Sequence, residues 1–168
     1  MGVKADQRTE EFTSFVLETG TQLHRAAMLL TGDHHQAEDL TQATYAKVFV
    51  HWKRISRTDS PLAYARTTLL NTFLSQRRLR RNSERPTDVL PEQAHHGPDP
   101  GIRVDLVSAL GTLPPLDRAV VVLRYWEDRS VAETAHDLDL TESVVRTRAH
   151  RALQRLRPLV TLPERTSP

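Results

Sequence analysis

The sequence predicts an all-α protein with two small helical domains joined by a flexible linker. On both sides of a stretch rich in proline and glycine, apolar residues recur at three- and four-residue steps, and no strand-like alternation lasts as long as a typical strand. A chain of 168 residues can bury a core but is too short for a large multidomain enzyme. We expect the first domain at residues 8–81, the linker at 82–101, the second domain at 102–160 and a C-terminal tail at 161–168.

The composition is that of a soluble globular protein, with 38% hydrophobic and 26% charged residues. No apolar run approaches the roughly 18 residues that suggest a bilayer span. The N-terminal MGVKADQRTEEF lacks the apolar stretch of a secretory signal, and the absence of cysteine excludes disulfide and thiolate chemistry. We therefore expect a cytoplasmic protein without a membrane partner.

Residues 82–101 form the clearest boundary in the sequence. They contain four of the ten prolines and two of the six glycines, with an acidic excess in place of apolar periodicity. These features predict an extended, mobile linker that lets the two domains change their relative position.

A bundle of three to four helices is predicted in the first domain. One helix ends near Gly32, and the next begins near His35 and runs to about Trp52. Another has Ser60 as its N-cap and Pro61 in its first turn. A stripe on the helix that begins near His35 is interpreted as a core face, and it comprises Tyr45, Val48, Phe49 and Trp52.

Four arginines lie within five residues at the C-terminal end of the helix that starts at Pro61, namely Arg77, Arg78, Arg80 and Arg81. One interpretation is a solvated helix end whose positive charge complements the helix dipole. The other is a surface that binds a polyanion. The pattern alone favours neither.

Two helices are predicted at the start of the second domain. The first is defined by three spaced leucines, which are Leu106, Leu110 and Leu113. It ends before Pro114, and Asp117 is the predicted cap of the second helix, which continues to Tyr125.

The segment VAETAHDLDLTESVVRTRAHRALQRL predicts a helix-turn-helix. A short helix at about 131–138 is followed by a tight turn and a longer helix that opens at Thr141. The motif needs a small residue at the helix crossing, a turn residue that tolerates positive φ, and a branched aliphatic in the second helix, and Ala135, Asp139 and Val145 occupy these positions. Glycine is more usual in the turn, but aspartate enters the left-handed region at modest cost, so Asp139 is predicted to have a positive φ.

The second helix of this motif carries a polar face formed by Arg146, Thr147, His150 and Arg151. A recognition helix presents base and phosphate contacts to a major groove in this way. The alternative interpretation is a basic face that is merely solvated.

These residues together resemble the extracytoplasmic-function (ECF) sigma factors of bacterial RNA polymerase, which keep only conserved regions 2 and 4 of larger sigma factors. The segment AEDLTQATYAKVF and the following Trp52 are similar to the part of region 2 that binds core polymerase. SPLAYARTTLLNTFLSQRRLRR is similar to the helix that reads the −10 element, and LPPLDRAVVVLRYWEDRSVAETAHDLDLTESVVRTRAHRALQRLR resembles region 4. The resemblance covers about residues 10–157, and the −10-like helix suggests the SigE-like branch.

For core polymerase, the resemblance implies that Asp39, Leu40 and Gln42 grip the clamp-helix coiled coil of the β′ subunit. The alternative interpretations are a core residue for Leu40 and an ordinary surface charge for Asp39. The family often has an acidic residue where Ala43 stands, so one polar contact of the family is in doubt here.

For the −10 element, the resemblance implies a site for recognition and melting that comprises Trp52, Arg57, Thr58, Asp59, Ser60, Asn71, Arg77 and Arg78. The loop at 57–60 would hold a flipped base, because melting without nucleotide hydrolysis requires capture of unpaired bases. The alternative is a polar turn that ends in an N-cap. Ser75 stands where the family usually has aspartate, so the family's base preference does not transfer.

For the −35 element, the resemblance assigns the DNA contacts to Arg146, Thr147, His150 and Arg151. It implies a non-catalytic sigma factor that needs no cofactor. Its partners would be promoter DNA and core RNA polymerase, through the β′ clamp helices and the β flap, with an anti-sigma factor as a further candidate.

Two other function classes compete with this interpretation. A stand-alone helix-turn-helix regulator would use a palindromic site and need no polymerase subunit. A hydrolase or transferase is disfavoured because the chain has no Gly-rich phosphate loop and no nucleophile motif. No metal site is expected, because the pairs His34–His35 and His95–His96 lack cysteine or a spaced carboxylate set.

Overall fold

The computed structural model describes residues 2–83 and 104–160. The chain consists of two compact units, and the boundary between them follows His95. All regular secondary structure in these two ranges is helical, so the predicted all-α fold is confirmed. Asn82 and Ser83, assigned to the linker from sequence, instead form the end of a helix. The rest of the predicted linker, the His95–His96 pair and the predicted tail lie outside the described residues.

The described part of the first unit contains α1 (Gly2–Thr31), α2 (His34–Val50), α3 (Trp52–Ile55) and α4 (Pro61–Ser83). The prediction of one helix from His35 to Trp52 was wrong at its end, because α2 stops at Val50 and Trp52 opens α3. The ψ of 11° at His51 departs from the helical value and separates the two helices.

The turn between α1 and α2 is built by Gly32 and Asp33. Gly32 has a φ of 70°, which glycine adopts without steric cost, and its N–H donates to the Met28 carbonyl oxygen at 2.8 Å. The Asp33 carboxylate accepts from the Gln36 N–H at 2.9 Å and caps α2. The predicted end of the first helix near Gly32 is thus confirmed.

The core of the first unit lies between α1, α2 and α4. Its largest fully buried side chains include Leu23, Leu29, Leu30, Leu40, Val48, Ile55, Leu69, Leu70 and Phe73. An aromatic cluster joins the N-terminal half of α1 to α2 and α3. In this cluster, the Trp52 ring centroid lies 4.9 Å from that of Phe15 and 5.2 Å from that of Phe12. These contacts fix the orientation of α3.

A partly buried pair of hydroxyl groups also links α1 to α2. Thr19 donates its hydroxyl hydrogen to the Phe15 carbonyl oxygen at 2.7 Å, so the Tyr45 hydroxyl, 2.9 Å from Thr19 Oγ1, is the donor in the second bond. Burial raises the pKa of Tyr45, against a smaller lowering by the Thr19 hydrogen bond. The phenol therefore stays neutral and keeps its proton for this bond.

The described part of the second unit contains α5 (Val104–Gly111), α6 (Pro115–Val121), α7 (Val131–Leu138) and α8 (Glu142–Leu156), and Val122–Trp126 continues α6 as a π-helical segment. Leu113 lies in the turn after α5 although it is buried, so its assignment to that helix was wrong. Asp117 does not cap α6: Pro114 holds the N-cap position and Pro115 opens the helix, which puts Asp117 inside the first turn.

The bounds predicted for the first helix of the helix-turn-helix, 131–138, are those of α7. A capping box fixes its start, because Ser130 Oγ accepts from the Glu133 N–H at 3.1 Å and the Glu133 carboxylate accepts from the Ser130 N–H at 2.8 Å. Arg129 adds ion pairs to Glu133 and Asp137, at 3.0 and 3.2 Å.

The turn between α7 and α8 has the predicted geometry. Asp139 has φ 54° and ψ 48°, so the prediction of a positive φ is confirmed. The next N–H, of Leu140, donates to the Ala135 carbonyl oxygen at 2.9 Å and closes α7. Thr141 Oγ1 accepts from the Val144 N–H at 3.2 Å and caps α8, as predicted.

Replacing Asp139 tests how much this turn depends on the left-handed conformation. We expect Asp139→Gly to be neutral or stabilising, and Asp139→Val to lower the free energy of unfolding by about 1 to 2 kcal/mol, because a β-branched residue is strained at positive φ. Urea unfolding of the full chain measures both. Gln154→Val, at an exposed position within α8, is the control for valine itself. Equal losses in the free energy of unfolding for Asp139→Val and Gln154→Val would contradict the expected strain.

Candidate functional site

Helix α8 has one buried face and one exposed basic face. Its buried side chains are Val145, Ala149, Ala152 and Leu156. Its exposed side chains include all four members of the predicted polar face, which are Arg146, Thr147, His150 and Arg151. The structure therefore brings the four residues together on the surface of the second helix of a helix-turn-helix, where a major groove can reach them.

One of these arginines is engaged in an ion pair on its own helix. The Arg146 guanidinium lies 2.9 Å from the Glu142 carboxylate, one turn earlier, and the two side chains are 63% and 50% exposed. An exposed pair of this kind contributes little stability, about 0.3 to 0.5 kcal/mol. Arg146 can therefore exchange Glu142 for a base or a phosphate at small cost.

A partly buried ion pair, which the sequence did not indicate, links α8 to α6. Arg148 Nη1 lies 2.5 Å from Asp117 Oδ1 on α6. The pair borders a cavity of about 250 Å³ whose lining includes Thr147 and Arg151 of the basic face. The two residues are 31 positions apart, and only the packing of α6 against α8 brings them together.

The loop at 57–60 connects α3 to α4, and its four side chains, Arg57, Thr58, Asp59 and Ser60, are exposed. Two of them have local structural roles. Ser60 Oγ accepts from the Ala63 N–H at 3.2 Å, as expected of an N-cap, and Thr58 Oγ1 donates to the Ile55 carbonyl oxygen at 2.7 Å. The loop is thus held at both ends, with Arg57 and Asp59 exposed between helices.

The structure contradicts the assignment of Trp52 to a base-contacting surface. Its side chain is 4% exposed and packs between Phe12 and Phe15, so no ring face is open for a base to stack on. The physical reason is the break at His51, which starts α3 at Trp52 and turns its ring toward α1. Trp52 is a core residue, as the core-face interpretation of its stripe predicts.

The arginine side chains at the C-terminal end of α4 have different surroundings. The Arg77 guanidinium lies 5.4 Å from the Phe73 ring centroid and is half-buried, and Arg80 donates to Gln36 Oε1 at 3.1 Å. Arg78 is exposed. Asn71, about two turns earlier on the same helix, is also exposed.

Two of the three residues predicted to bind core polymerase lie on the surface. Asp39 and Gln42 are exposed on α2, three positions apart and hence on one helical face. Leu40 is 0% exposed and belongs to the core between the helices, so the assignment of Leu40 to a contact surface was wrong. Its alternative interpretation as a core residue is the one that the structure supports.

Residues 2–83 and 104–160 contain no group of three or more histidine, aspartate or glutamate side chains arranged to hold a metal ion. In the same part of the chain, no helix has the length and apolar character that a membrane crossing requires.

Both units match known protein families. The Sigma-70 region 2 family matches residues 15–84, and the Sigma-70 region 4 family matches residues 109–158. The RNA polymerase sigma-E factor of Streptomyces coelicolor is 36% identical over 149 residues, which are 88% of this chain and 84% of that relative. The chain belongs to the ECF sigma factors.

Other relatives agree with this family. The ECF RNA polymerase sigma factor SigL of Mycobacterium tuberculosis is 32% identical over 150 residues, with 83% of each chain covered. Among solved structures, the sigma factor RpoE in complex with the anti-sigma factor NepR from Bartonella quintana superposes with a TM-score of 0.68 at 25% identity. That match covers 89% of this ECF sigma factor and 96% of its neighbour.

As an ECF sigma factor, the protein directs RNA polymerase to specific promoters and initiates transcription. The stand-alone regulator is not favoured, because the first unit matches region 2 and not a dimerisation or sensing domain. The suggested SigE-like branch is consistent with the sigma-E names of the relatives from Streptomyces.

Proposed function

We propose that this sigma factor is a non-catalytic specificity subunit that works in the cytoplasm and divides its contacts among three surfaces. The observation that carries the proposal is the order of two sigma units on one chain, the second with an exposed basic recognition helix. Polymerase would bind α2, the −10 element would bind the 57–60 loop and α4, and the −35 element would bind α8.

The polymerase surface on α2 consists of Asp39 and Gln42. Their exposed carboxylate and amide can accept and donate hydrogen bonds to basic and polar side chains of the β′ clamp helices. Leu40 contributes indirectly, because its burial sets the rotation of α2 about its axis and so points the two polar side chains outward.

The −10 surface consists of Arg57, Thr58, Asp59, Asn71 and Arg78, with Ser60 as the cap that fixes the loop. Unstacking a base costs a few kcal/mol, and hydrogen bonds to the edge of the captured base offset this cost. A polar loop between two helix ends can supply such hydrogen bonds. Arg77, half-buried against Phe73, would add its positive charge along the same helix.

The −35 surface consists of the four polar residues of α8. Arg146 and Arg151 can each make a bidentate contact to guanine or bind a phosphate, and Thr147 and His150 lie between them on the helix. Phosphate contacts supply register, and base contacts supply the sequence preference.

The comparison with solved structures supports protein partners as well. The structural neighbour from Bartonella quintana was crystallised with an anti-sigma factor, and its chain is matched over nearly all its length. An anti-sigma factor of this chain would act by covering one or more of the three surfaces. The second unit would also contact the β flap of core polymerase, so that both units are held at a fixed spacing on the enzyme.

Copurification with core RNA polymerase tests the proposal against the stand-alone regulator. A tagged full chain should retain added core enzyme on an affinity column, and the untagged chain should appear with core enzyme in one peak by gel filtration. A palindromic DNA site bound by a dimer of the chain, without retention of polymerase, would support the regulator instead.

A further inference from the structure

Helix α8 carries three arginines within six residues, which are Arg146, Arg148 and Arg151. Helical spacing puts Arg148 at the edge of the exposed basic face, about 60° around the helix axis from Arg151 and about 60° from the buried Val145. The edges of a helix in the major groove face the phosphates on either side of the groove. By its position alone, Arg148 would therefore contact a phosphate.

Arg148 is instead paired with a carboxylate from another helix. Its Nη1 atom lies 2.5 Å from Oδ1 of Asp117, which belongs to the first turn of α6. The Asp117 side chain is 14% exposed and the Arg148 side chain 37%. The cavity that the pair borders is also lined by Thr147 and Arg151, so the pair lies directly beside the basic face.

Two ion pairs of α8 differ in how easily a phosphate can replace the carboxylate. Glu142 and Arg146 are at least half exposed, so water solvates both charges when their pair opens. Opening the pair of Arg148 would leave the largely buried Asp117 carboxylate without its cation, which costs far more. DNA can therefore recruit Arg146 more easily than Arg148.

The Arg148 guanidinium has hydrogen-bonding capacity that Asp117 does not use. Its Nε atom is buried and has no acceptor among the described residues. A donor in this state gains from a further acceptor, and a phosphate offers several oxygens in a charge-assisted bond. Without Asp117, Arg148 would turn to a phosphate.

We infer that Asp117 is a positioning residue that keeps Arg148 off the DNA phosphates and thereby limits sequence-independent binding by the −35 surface. The inference rests on the proposed function, because it requires α8 to enter the major groove. Phosphate contacts strengthen binding to any duplex, whereas base contacts strengthen binding to the −35 sequence alone. Withholding one cation leaves a larger share of the affinity to the base contacts.

The test measures binding of a short fluorescein-labelled duplex of arbitrary sequence to the full chain by anisotropy at several salt concentrations. Asp117→Asn should tighten binding by about threefold to tenfold, because the released Arg148 gains a phosphate. The slope of log affinity against log salt should become steeper by about 0.9, the contribution of one duplex phosphate contact. A loss of structure would weaken binding instead.

Further variants tie these changes to Arg148. Arg148→Met should leave the slope unchanged, since Arg148 makes no phosphate contact while Asp117 holds it, and Asp117→Asn/Arg148→Met should have the same slope because no cation is released. Asp117→Glu keeps the carboxylate and should bind as the unchanged chain does. Asp128→Asn removes an exposed carboxylate from the same unit and is the control for charge, with no change in slope expected. Far-ultraviolet circular dichroism verifies that all variants keep their helicity.

Arg151→Met distinguishes failure of this inference from failure of the proposed function. If α8 contacts DNA, this variant should make the slope shallower by about 0.9. Should Arg151→Met do so while Asp117→Asn leaves the slope unchanged, or while Arg148→Met makes it shallower as well, the inference is overturned and the −35 surface stands. Unchanged slopes in both Arg146→Met and Arg151→Met would remove the −35 surface itself.

Discussion

Alanine substitution of Arg146 and Arg151 is expected to remove most of the preference of the full chain for −35 duplex. Each side chain that is bidentate to guanine contributes about 1 to 3 kcal/mol of discrimination, and the two lie about one and a half turns apart, so their losses should be nearly additive. A gel shift with −35 duplex and with a scrambled duplex, at one stated salt concentration, measures the preference.

The control for this experiment is Arg81→Ala, which removes an exposed arginine from α4 in the other unit. It should leave the preference for −35 duplex unchanged. If Arg146→Ala and Arg151→Ala weakened scrambled and −35 duplex equally, the two arginines would contact phosphates alone, and sequence reading by α8 would have to come from other residues.

Alanine substitution of Asp39 and Gln42 is expected to weaken capture of core polymerase by about tenfold or more, as truncation of central interface residues commonly does. The preference for −35 duplex should stay unchanged, because α8 belongs to the other unit. A pull-down titration with core enzyme measures the first quantity, and the gel shift measures the second.

Glu18→Ala is the matched control for this variant, because it removes an exposed carboxylate from α1 in the same unit. It should capture polymerase as the unchanged chain does. If Glu18→Ala weakened capture of core polymerase as much as the double variant, general negative charge, and not the α2 surface, would attract the enzyme.

Local signals in the sequence predicted the helix-turn-helix accurately. Asp139 and Thr141 act through a backbone preference and a hydrogen bond within a few residues, so their effects are visible without knowledge of the fold. The cap of α4 by Ser60 is of the same kind. The exposure of the four polar residues on α8 followed from helical spacing alone.

Features that depend on tertiary packing were not predictable in this way. The break at His51 depends on the aromatic cluster that α1 provides, whereas the burial of Trp52 agrees with the core face that helical spacing predicts. Leu40 matched a contact motif, but whether a leucine on an amphipathic helix faces a partner or the core depends on where its neighbours pack. Similarly, only the packing of α6 on α8 pairs Asp117 with Arg148.

The most direct test of the account is run-off transcription with core RNA polymerase over a library of genomic fragments. Discrete transcripts should appear only when the full chain is added, and they should share −35 and −10 elements at a constant spacing, because two units on one enzyme read them together. Initiation should fall with Arg146→Ala/Arg151→Ala and with Asp39→Ala/Gln42→Ala. Transcripts that do not depend on the chain, or the absence of any transcript in its presence, would contradict the assignment of the three surfaces to promoter-directed initiation.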